Sequence, residues 1–158
     1  MKLAALCYVE KDNQYLMIHR TKKENDMHKG LWKGLGGKFE PGESPEECVI
    51  REVYEESGLK IRNPQLKGIL TFPNNPKFEE FCIFLFIAKD FFGDIISNED
   101  CKEGDLAWLD KDKLDNFPAN QADKYFLKWM QETEGIFSAK FIYDDNGILK
   151  DYQISIYK

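Results

Sequence analysis

A short loop that runs directly into an acidic helix, over Gly37–Leu59, constrains this chain more than any other segment. Ser44 is a favoured N-cap residue, Pro45 suits the first helical position, and Glu47 three residues after the cap completes a capping box. Gly58 can adopt the left-handed conformation that commonly ends a helix. The sequence therefore predicts a helix that begins at Ser44 and ends near Gly58.

The two faces of this predicted helix differ in character. One face is apolar, with residues spaced three and four apart: Val49, Ile50, Val53 and Tyr54. Glu52, Glu55 and Glu56 gather on the opposite face, where like charges one turn apart destabilise a helix by about 0.2–0.5 kcal/mol per pair. A bound divalent cation would reverse that effect, and hard oxygen ligands suit Mg²⁺ or Mn²⁺. Arg51 can pair with Glu55 or with Glu43, which would hold a ligand carboxylate in place.

The spacing of these residues is more specific than their charge. A lone Glu-rich run is usually a solvated helix surface. The full pattern here, G-x5-E-x7-R-E-V-x-E-E-x-G-L over Gly37–Leu59, is the Nudix box, and the chain resembles the Nudix hydrolase family. The resemblance implies a loop-helix-loop that binds divalent metal and the diphosphate of a nucleoside diphosphate linked to another group, which water then cleaves. It also implies an α/β fold, an α/β/α sandwich with a central mixed β-sheet, as a single domain over residues 1–158.

The resemblance further implies a set of metal ligands. These are the carbonyl of Gly36 and the carboxylates of Glu52, Glu55, Glu56 and Glu103. Glu103 comes from an acidic loop after the box and is favoured for this place over Glu99. A metal lowers the pKa of its bound water, and either Glu52 or Glu103 would take the proton of the attacking water. The sequence leaves that choice open.

Basic residues near the predicted site are candidates for binding the substrate phosphates. Arg20 lies at the end of a predicted strand, a position at which the family often contacts phosphate. Lys23, in the charged loop that follows, and Lys38, at the end of a Gly-rich segment before the box, are assigned to substrate binding as well. A solvated loop is the alternative interpretation of the charges around Lys23. His19 and His28 lack a metal or nucleophile pattern and are interpreted as structural or surface residues.

Four segments outside the box resemble the MutT-type 8-oxo-dGTP diphosphatases, which act on oxidised nucleotides. They are the approach to the box over 30–38, the strand that contains Trp108, the Phe117-Pro118 segment and the C-terminal hairpin. A purine site needs a flat apolar slot and polar groups on the base edge. Trp32, Phe72 and Phe117 are candidate walls, although core packing is an equally ordinary role for them. Asn120 is the candidate for reading the base edge, because its amide offers both a donor and an acceptor.

Two alternatives to hydrolysis of 8-oxo-dGTP stay open at this point. Pro73 and Pro76 lie roughly where members that cleave ADP-ribose carry a proline, so ADP-ribose, a dinucleoside polyphosphate or general nucleoside triphosphates are alternative substrates. A non-catalytic Nudix domain that senses a nucleotide is a second alternative. Such domains usually lose box carboxylates, and this chain has all of them.

Composition limits the class of partner. A chain of 158 residues can form one domain with a normal core. The net charge of −6 argues against a nucleic-acid polymer, which binds clustered Lys and Arg, and favours a small nucleotide bridged by metal. Cys7, Cys48, Cys82 and Cys101 show no zinc spacing, and neither a signal peptide nor a membrane span is expected. We therefore expect a cytoplasmic protein, a monomer more simply than a homodimer.

Periodicity and turn residues predict the remaining elements. Strands are expected over 3–9, 15–20, 66–72, 81–88, 91–96 and 105–109, and a C-terminal hairpin over 136–143 and 148–157. A helical turn is expected over 112–116 and an amphipathic helix over 121–132. The continuous apolar character of 81–88 suggests a strand buried on both faces.

Overall fold

The first two strands divide the core into two halves through the alternation of their side chains. Strand β1 spans Lys2–Lys11 and strand β2 spans Gln14–Arg20. One face of β1 contributes three residues to a single apolar cluster: Ala5, Cys7 and Val9. Tyr8, between them in sequence, belongs to a second cluster on the opposite face. Because successive side chains of a strand point to opposite faces, β1 is buried on both sides of the sheet.

The sheet is mixed, as the sequence predicted. The computed structural model describes residues 1–22 and 28–158. Its further elements are β3 (Trp32–Lys33), β4 (Leu35–Lys38), α1 (Pro45–Ser57), β5 (Lys60–Arg62), β6 (Gln65–Phe72), β7 (Phe81–Ala88), β8 (Asp90–Phe92), β9 (Gly104–Asp110), a 3-10 helix (Lys111–Asn116), α2 (Asp123–Glu132), β10 (Ile136–Tyr143) and β11 (Leu149–Tyr157). The strand order is β11-β10-β6-β7-β1-β2-β3, with β4 also paired to β1 and β9 to β2. The pairs β1–β7 and β6–β10 are parallel, and the other pairs are antiparallel.

A helix covers each face of this sheet. Val49 and Val53 of α1 belong to the cluster on one face, and Phe126 and Met130 of α2 belong to the cluster on the other. Helix, sheet and helix therefore form three layers, which confirms the predicted α/β/α sandwich.

The box helix has the predicted caps. The Glu47 N–H donates to Ser44 Oγ at 3.1 Å, and the Ser44 N–H donates to Glu47 Oε1 at 3.0 Å. Gly58 has φ 83° and donates its N–H to the Tyr54 carbonyl. The predicted apolar stripe is only half right, because Ile50 and Tyr54 are 38% and 50% exposed. The buried side of α1 is rotated toward β4.

Two predicted boundaries are also wrong. The strand predicted over 91–96 ends at Phe92, and β8 pairs with β5 in a separate two-stranded sheet. Gly93 follows with φ 100°, a conformation that interrupts a strand. Helix α2 begins at Asp123 and not at Gln121, because the Gln121 side chain bonds the Gly147 carbonyl and the Leu149 N–H of the C-terminal hairpin.

In the described part of the chain, no helix is long and apolar enough to cross a membrane. The four cysteines are free thiols, and three of them are buried. Cys7, Cys48 and Cys101 belong to the core, and Cys82 is half-buried.

Candidate active site

Glycines in β4 allow the carboxylates of α1 to approach the sheet. The Gly36 N–H donates to Glu56 Oε1 at 2.6 Å. A Cβ atom on Gly37 would lie 2.6 Å from the carboxyl carbon of Glu52, so a larger residue there would displace the end of that side chain. Gly36 and Gly37 therefore let the two glutamates lie directly against the backbone of β4.

Arg51 holds the outer carboxylates of the site in a network. Its Nε donates to Glu43 Oε2 at 2.7 Å, and its Nη1 donates to Glu52 Oε1 at 2.9 Å and to Glu55 Oε2 at 3.2 Å. Its Nη2 also donates to the Lys38 carbonyl at 3.1 Å. Hydrogen bonds from Arg51 and from the Glu40 backbone lower the pKa of Glu43 to about 2. Arg51 therefore contacts both of its predicted partners, Glu43 and Glu55, and Glu52 as well, which is the geometry of a positioning residue.

A second group of charges lies deeper, where Glu56 meets Glu103 and Lys33. Lys33 Nζ is 3.3 Å from Glu103 Oε2 and 3.8 Å from Glu56 Oε2. Burial raises the pKa of Glu56 well above its usual value, and the neighbouring Glu103 adds to that rise while Lys33 opposes it. The carboxyl groups of Glu56 and Glu103 are within hydrogen-bonding reach of each other, so both cannot ionise without a compensating cation. Glu99, the alternative to Glu103, is exposed to solvent.

These carboxylates suit a hard cation, although they are divided between two basic side chains. Among residues 1–22 and 28–158, no three acidic, His or Cys side chains are arranged as a metal site. Glu52 and Glu55 face Arg51, whereas Glu56 and Glu103 face Lys33. The buried Glu56 Oε2 nevertheless accepts no hydrogen bond from the described residues. An oxygen donor set with an unsatisfied buried carboxylate fits Mg²⁺ or Mn²⁺.

A cavity of about 660 Å³ adjoins the carboxylates through Gly36 and Lys33. Several predicted substrate ligands line it: Arg20, Lys38, Phe72 and Asn120. Its volume lies in the range of small-molecule sites. The Asn120 segment is held in place because the Pro118 carbonyl accepts the Trp32 N–H at 2.7 Å and Gln121 bonds the C-terminal hairpin.

Two other predicted substrate residues, Trp32 and Phe117, do not line this cavity. Trp32 stacks on His19 with ring centroids 4.5 Å apart and contacts the edge of Phe117 at 5.5 Å. Phe117 lines a separate groove of about 560 Å³ beside α2. The structure therefore favours packing for these two rings, the alternative role. Lys23 lies outside the described residues.

Sequence reasoning missed two residues of the site, Lys33 and Asp123. Lys33 has a weak signal, since it lies in the Gly-rich segment directly before the box. Asp123 has none, because an acidic residue in the first turn of a helix ordinarily complements the helix dipole at the surface. Both line the cavity, and Asp123 is only 6% exposed.

Fold and site together define a class of protein. A three-layer sandwich places a capped, glutamate-rich helix beside a cavity of nucleotide size, and basic side chains line that cavity. The family model for the NUDIX domain matches residues 1–130, and the chain belongs to this family.

Known relatives and solved structures agree with the family. The Nudix hydrolase YvcI of Bacillus subtilis is 32% identical over 151 residues, which cover 94% of this chain and 90% of YvcI. The ADP-ribose pyrophosphatase of Methanocaldococcus jannaschii is 31% identical over 77% of this chain and 70% of its own length. The crystal structure of the MutT protein of Bacillus halodurans has a TM-score of 0.85 at 29% identity, with 98% of this chain and 97% of the other covered. The chain is thus a Nudix hydrolase acting on pyrophosphate bonds of small nucleotides, in a family that generally uses divalent metal ions.

Proposed function

We propose that this protein hydrolyses 8-oxo-dGTP to 8-oxo-dGMP and pyrophosphate, and so removes an oxidised nucleotide from the precursor pool. One observation carries the proposal: the cavity that holds Phe72 and Asn120 also reaches Gly36 and Lys33 beside the carboxylates. A base in this cavity would have an apolar wall and an amide at its edge. The phosphates would then lie toward Arg20 and Lys38, which line the same cavity.

The residues that would hold Mg²⁺ are the Gly36 carbonyl, Glu52, Glu55, Glu56 and Glu103. Bound Mg²⁺ neutralises phosphate charge and lowers the pKa of a coordinated water. Arg51 keeps the carboxylates of Glu52 and Glu55 in place, and Arg20 and Lys38 bind the phosphate oxygens. Glu52 accepts the proton of the attacking water, with Glu103 as the alternative base. Arg51 and Gly37 favour Glu52, because both fix the position of its carboxylate.

ADP-ribose is a second candidate substrate. Pro73, which the sequence analysis linked to members that cleave ADP-ribose, lines the cavity beside Phe72. A relative of this chain is also named as an ADP-ribose pyrophosphatase. Both reactions would use the same carboxylates, so only the base and the leaving group separate them.

A substrate panel tests the proposed function. We expect a kcat/KM at least about a hundredfold higher for 8-oxo-dGTP than for dGTP, equivalent to about 3 kcal/mol of discrimination. Chromatography of the monophosphate products, with Mg²⁺ present and after chelation, measures this ratio for 8-oxo-dGTP, dGTP and ADP-ribose in parallel. Equal values for the two guanine nucleotides, or cleavage of ADP-ribose alone, would contradict the proposal.

The role of Arg51 is tested by Arg51→Lys. An ammonium group cannot reproduce the fork that joins Glu43, Glu52 and Glu55, so we expect kcat to fall about 10- to 100-fold with little change in KM. Arg62→Lys, an exposed pair with Asp90, is the matched control and should leave both constants unchanged. An R51K enzyme with wild-type kcat would show that Glu52 needs no such support.

A further inference from the structure

Lys33 is a cation that two of the proposed metal ligands share. Its Nζ is 3.3 Å from Glu103 Oε2 and 3.8 Å from Glu56 Oε2, and only 17% of its side chain is exposed. Among residues 1–22 and 28–158, no other acidic side chain forms an ion pair with it. Within that part of the chain, Lys33 therefore pairs only with carboxylates that we assign to the metal.

Arg51, the other cation beside the ligands, is anchored differently. Besides the ligand carboxylates it binds Glu43, which lies outside the proposed ligand set, and the Lys38 carbonyl. These two contacts keep the guanidinium in place when the ligand carboxylates turn to a metal. No comparable contact holds the Lys33 ammonium group within the described part of the chain. A metal that takes both of its carboxylates therefore removes its partners.

Lys33 and a divalent cation compete for the same oxygen atom. Glu56 Oε1 accepts the Gly36 N–H, which leaves Glu56 Oε2 as the ligand atom, and this buried atom accepts no hydrogen bond from the described residues. Mg²⁺ binds carboxylate oxygens at about 2.0–2.1 Å. A metal on Glu56 Oε2 would lie close to the Lys33 ammonium group, which is 3.8 Å from the same atom. Two cations repel each other strongly at such a distance in a partly buried site.

The Lys33 side chain also borders the cavity beside the carboxylates. Lys33 is one of the residues that line this cavity of about 660 Å³. Its backbone is fixed, because β3 pairs with β2 and the preceding Trp32 N–H donates to the Pro118 carbonyl. The four-carbon stem of a lysine is flexible. The ammonium group can therefore swing from the carboxylates into the cavity while the strand stays in place.

We propose that Lys33 is a built-in competitor of the divalent cation, which lowers the Mg²⁺ affinity of the nucleotide-free protein and swings into the cavity when the metal binds. This inference rests on the ligand set of the proposed function and concerns the regulation of that site. Without metal, Lys33 compensates Glu56 and Glu103, two acids that otherwise repel each other. The Mg²⁺ concentration at which the site fills thus depends on a lysine of the protein itself.

Mn²⁺ binding to the nucleotide-free protein, measured by electron paramagnetic resonance, tests this inference. We expect Lys33→Met to bind Mn²⁺ at least about tenfold more tightly than wild type, because a positive charge beside the ligands is removed. Lys33→Arg keeps the charge and should bind Mn²⁺ within about threefold of the wild-type affinity. Lys89→Met, at an exposed lysine that pairs with Glu10, is the matched control and should leave the affinity unchanged.

Thermal melting after chelation provides a second measurement. K33M leaves two acids without their shared cation, so its Tm without metal should fall by about 2–5 °C. Mg²⁺ should then raise the Tm of K33M more than that of wild type, because it binds the folded variant more tightly. If K33M does not fold without metal, Lys33→Gln replaces it and must show the same gain in Mn²⁺ affinity.

The direction of the change in affinity separates competition from a structural role. Replacing a merely structural lysine would weaken metal binding, whereas removing a competitor strengthens it. A K33M protein that binds Mn²⁺ no more tightly than wild type would overturn the inference, and so would an equal gain in K33R. Neither measurement uses a nucleotide, so the substrate panel can contradict the proposed function without changing the outcome of this test.

Discussion

We expect Glu52→Gln to lower kcat by about a thousandfold and to leave the fold intact. The substitution keeps the size of the side chain and its contact with Gly37, so the packing of α1 on β4 is preserved. It removes the negative charge that would accept the proton of water. Single-turnover hydrolysis at saturating Mg²⁺ measures the effect, and thermal melting checks the fold.

Two comparisons make this result specific to Glu52. Glu46→Gln, on the exposed first turn of the same helix, should retain full activity. Glu103→Gln should cost less in kcat than Glu52→Gln if Glu52 is the base. A larger loss of kcat for Glu103→Gln than for Glu52→Gln would assign the proton transfer to Glu103. Near-normal turnover by E52Q would refute the role of Glu52 altogether.

Glu56→Gln is the second substitution with a large expected effect. It should weaken metal binding and stabilise the metal-free protein. Glu56 Oε2 is buried, accepts no hydrogen bond from the described residues, and lies close to Glu103. A neutral amide removes the repulsion between the two acids while its oxygen can still accept the Gly36 N–H. We expect the chelator-treated variant to gain about 1 kcal/mol in unfolding free energy and to lose a hundredfold or more in kcat/KM.

The measurement is urea unfolding with and without Mg²⁺. Wild-type protein should be stabilised by Mg²⁺, because a ligand that binds only the folded state raises the unfolding free energy. E56Q should show little of that gain, whereas E46Q should behave as wild type. Equal Mg²⁺ stabilisation of E56Q and wild type would remove Glu56 from the ligand set.

Sequence patterns predicted correctly those structural features that depend on a few neighbouring residues. Capping at Ser44, the left-handed Gly58 and the C-terminal hairpin depend on a few neighbouring residues, and all three were predicted correctly. The two-stranded sheet of β5 and β8 could not be predicted, because it pairs segments about thirty residues apart in sequence. The sequence could not decide which aromatic residues line the site and which pack in the core. In the structure Phe72 lines the cavity, whereas Trp32 packs on His19.

The sequence by itself determined the family, because the fixed spacing of one loop and helix identifies it, and the resemblance to that family implied the α/β/α architecture. Tertiary structure alone decided which charges meet. It placed Arg51 against Glu43, Glu52 and Glu55, and it brought Lys33 between Glu56 and Glu103. It also buried Asp123 at the cavity, although its sequence context is that of an exposed helix start. The physical reason is that burial and the distance to a partner charge depend on how the layers pack, and no local pattern contains that information.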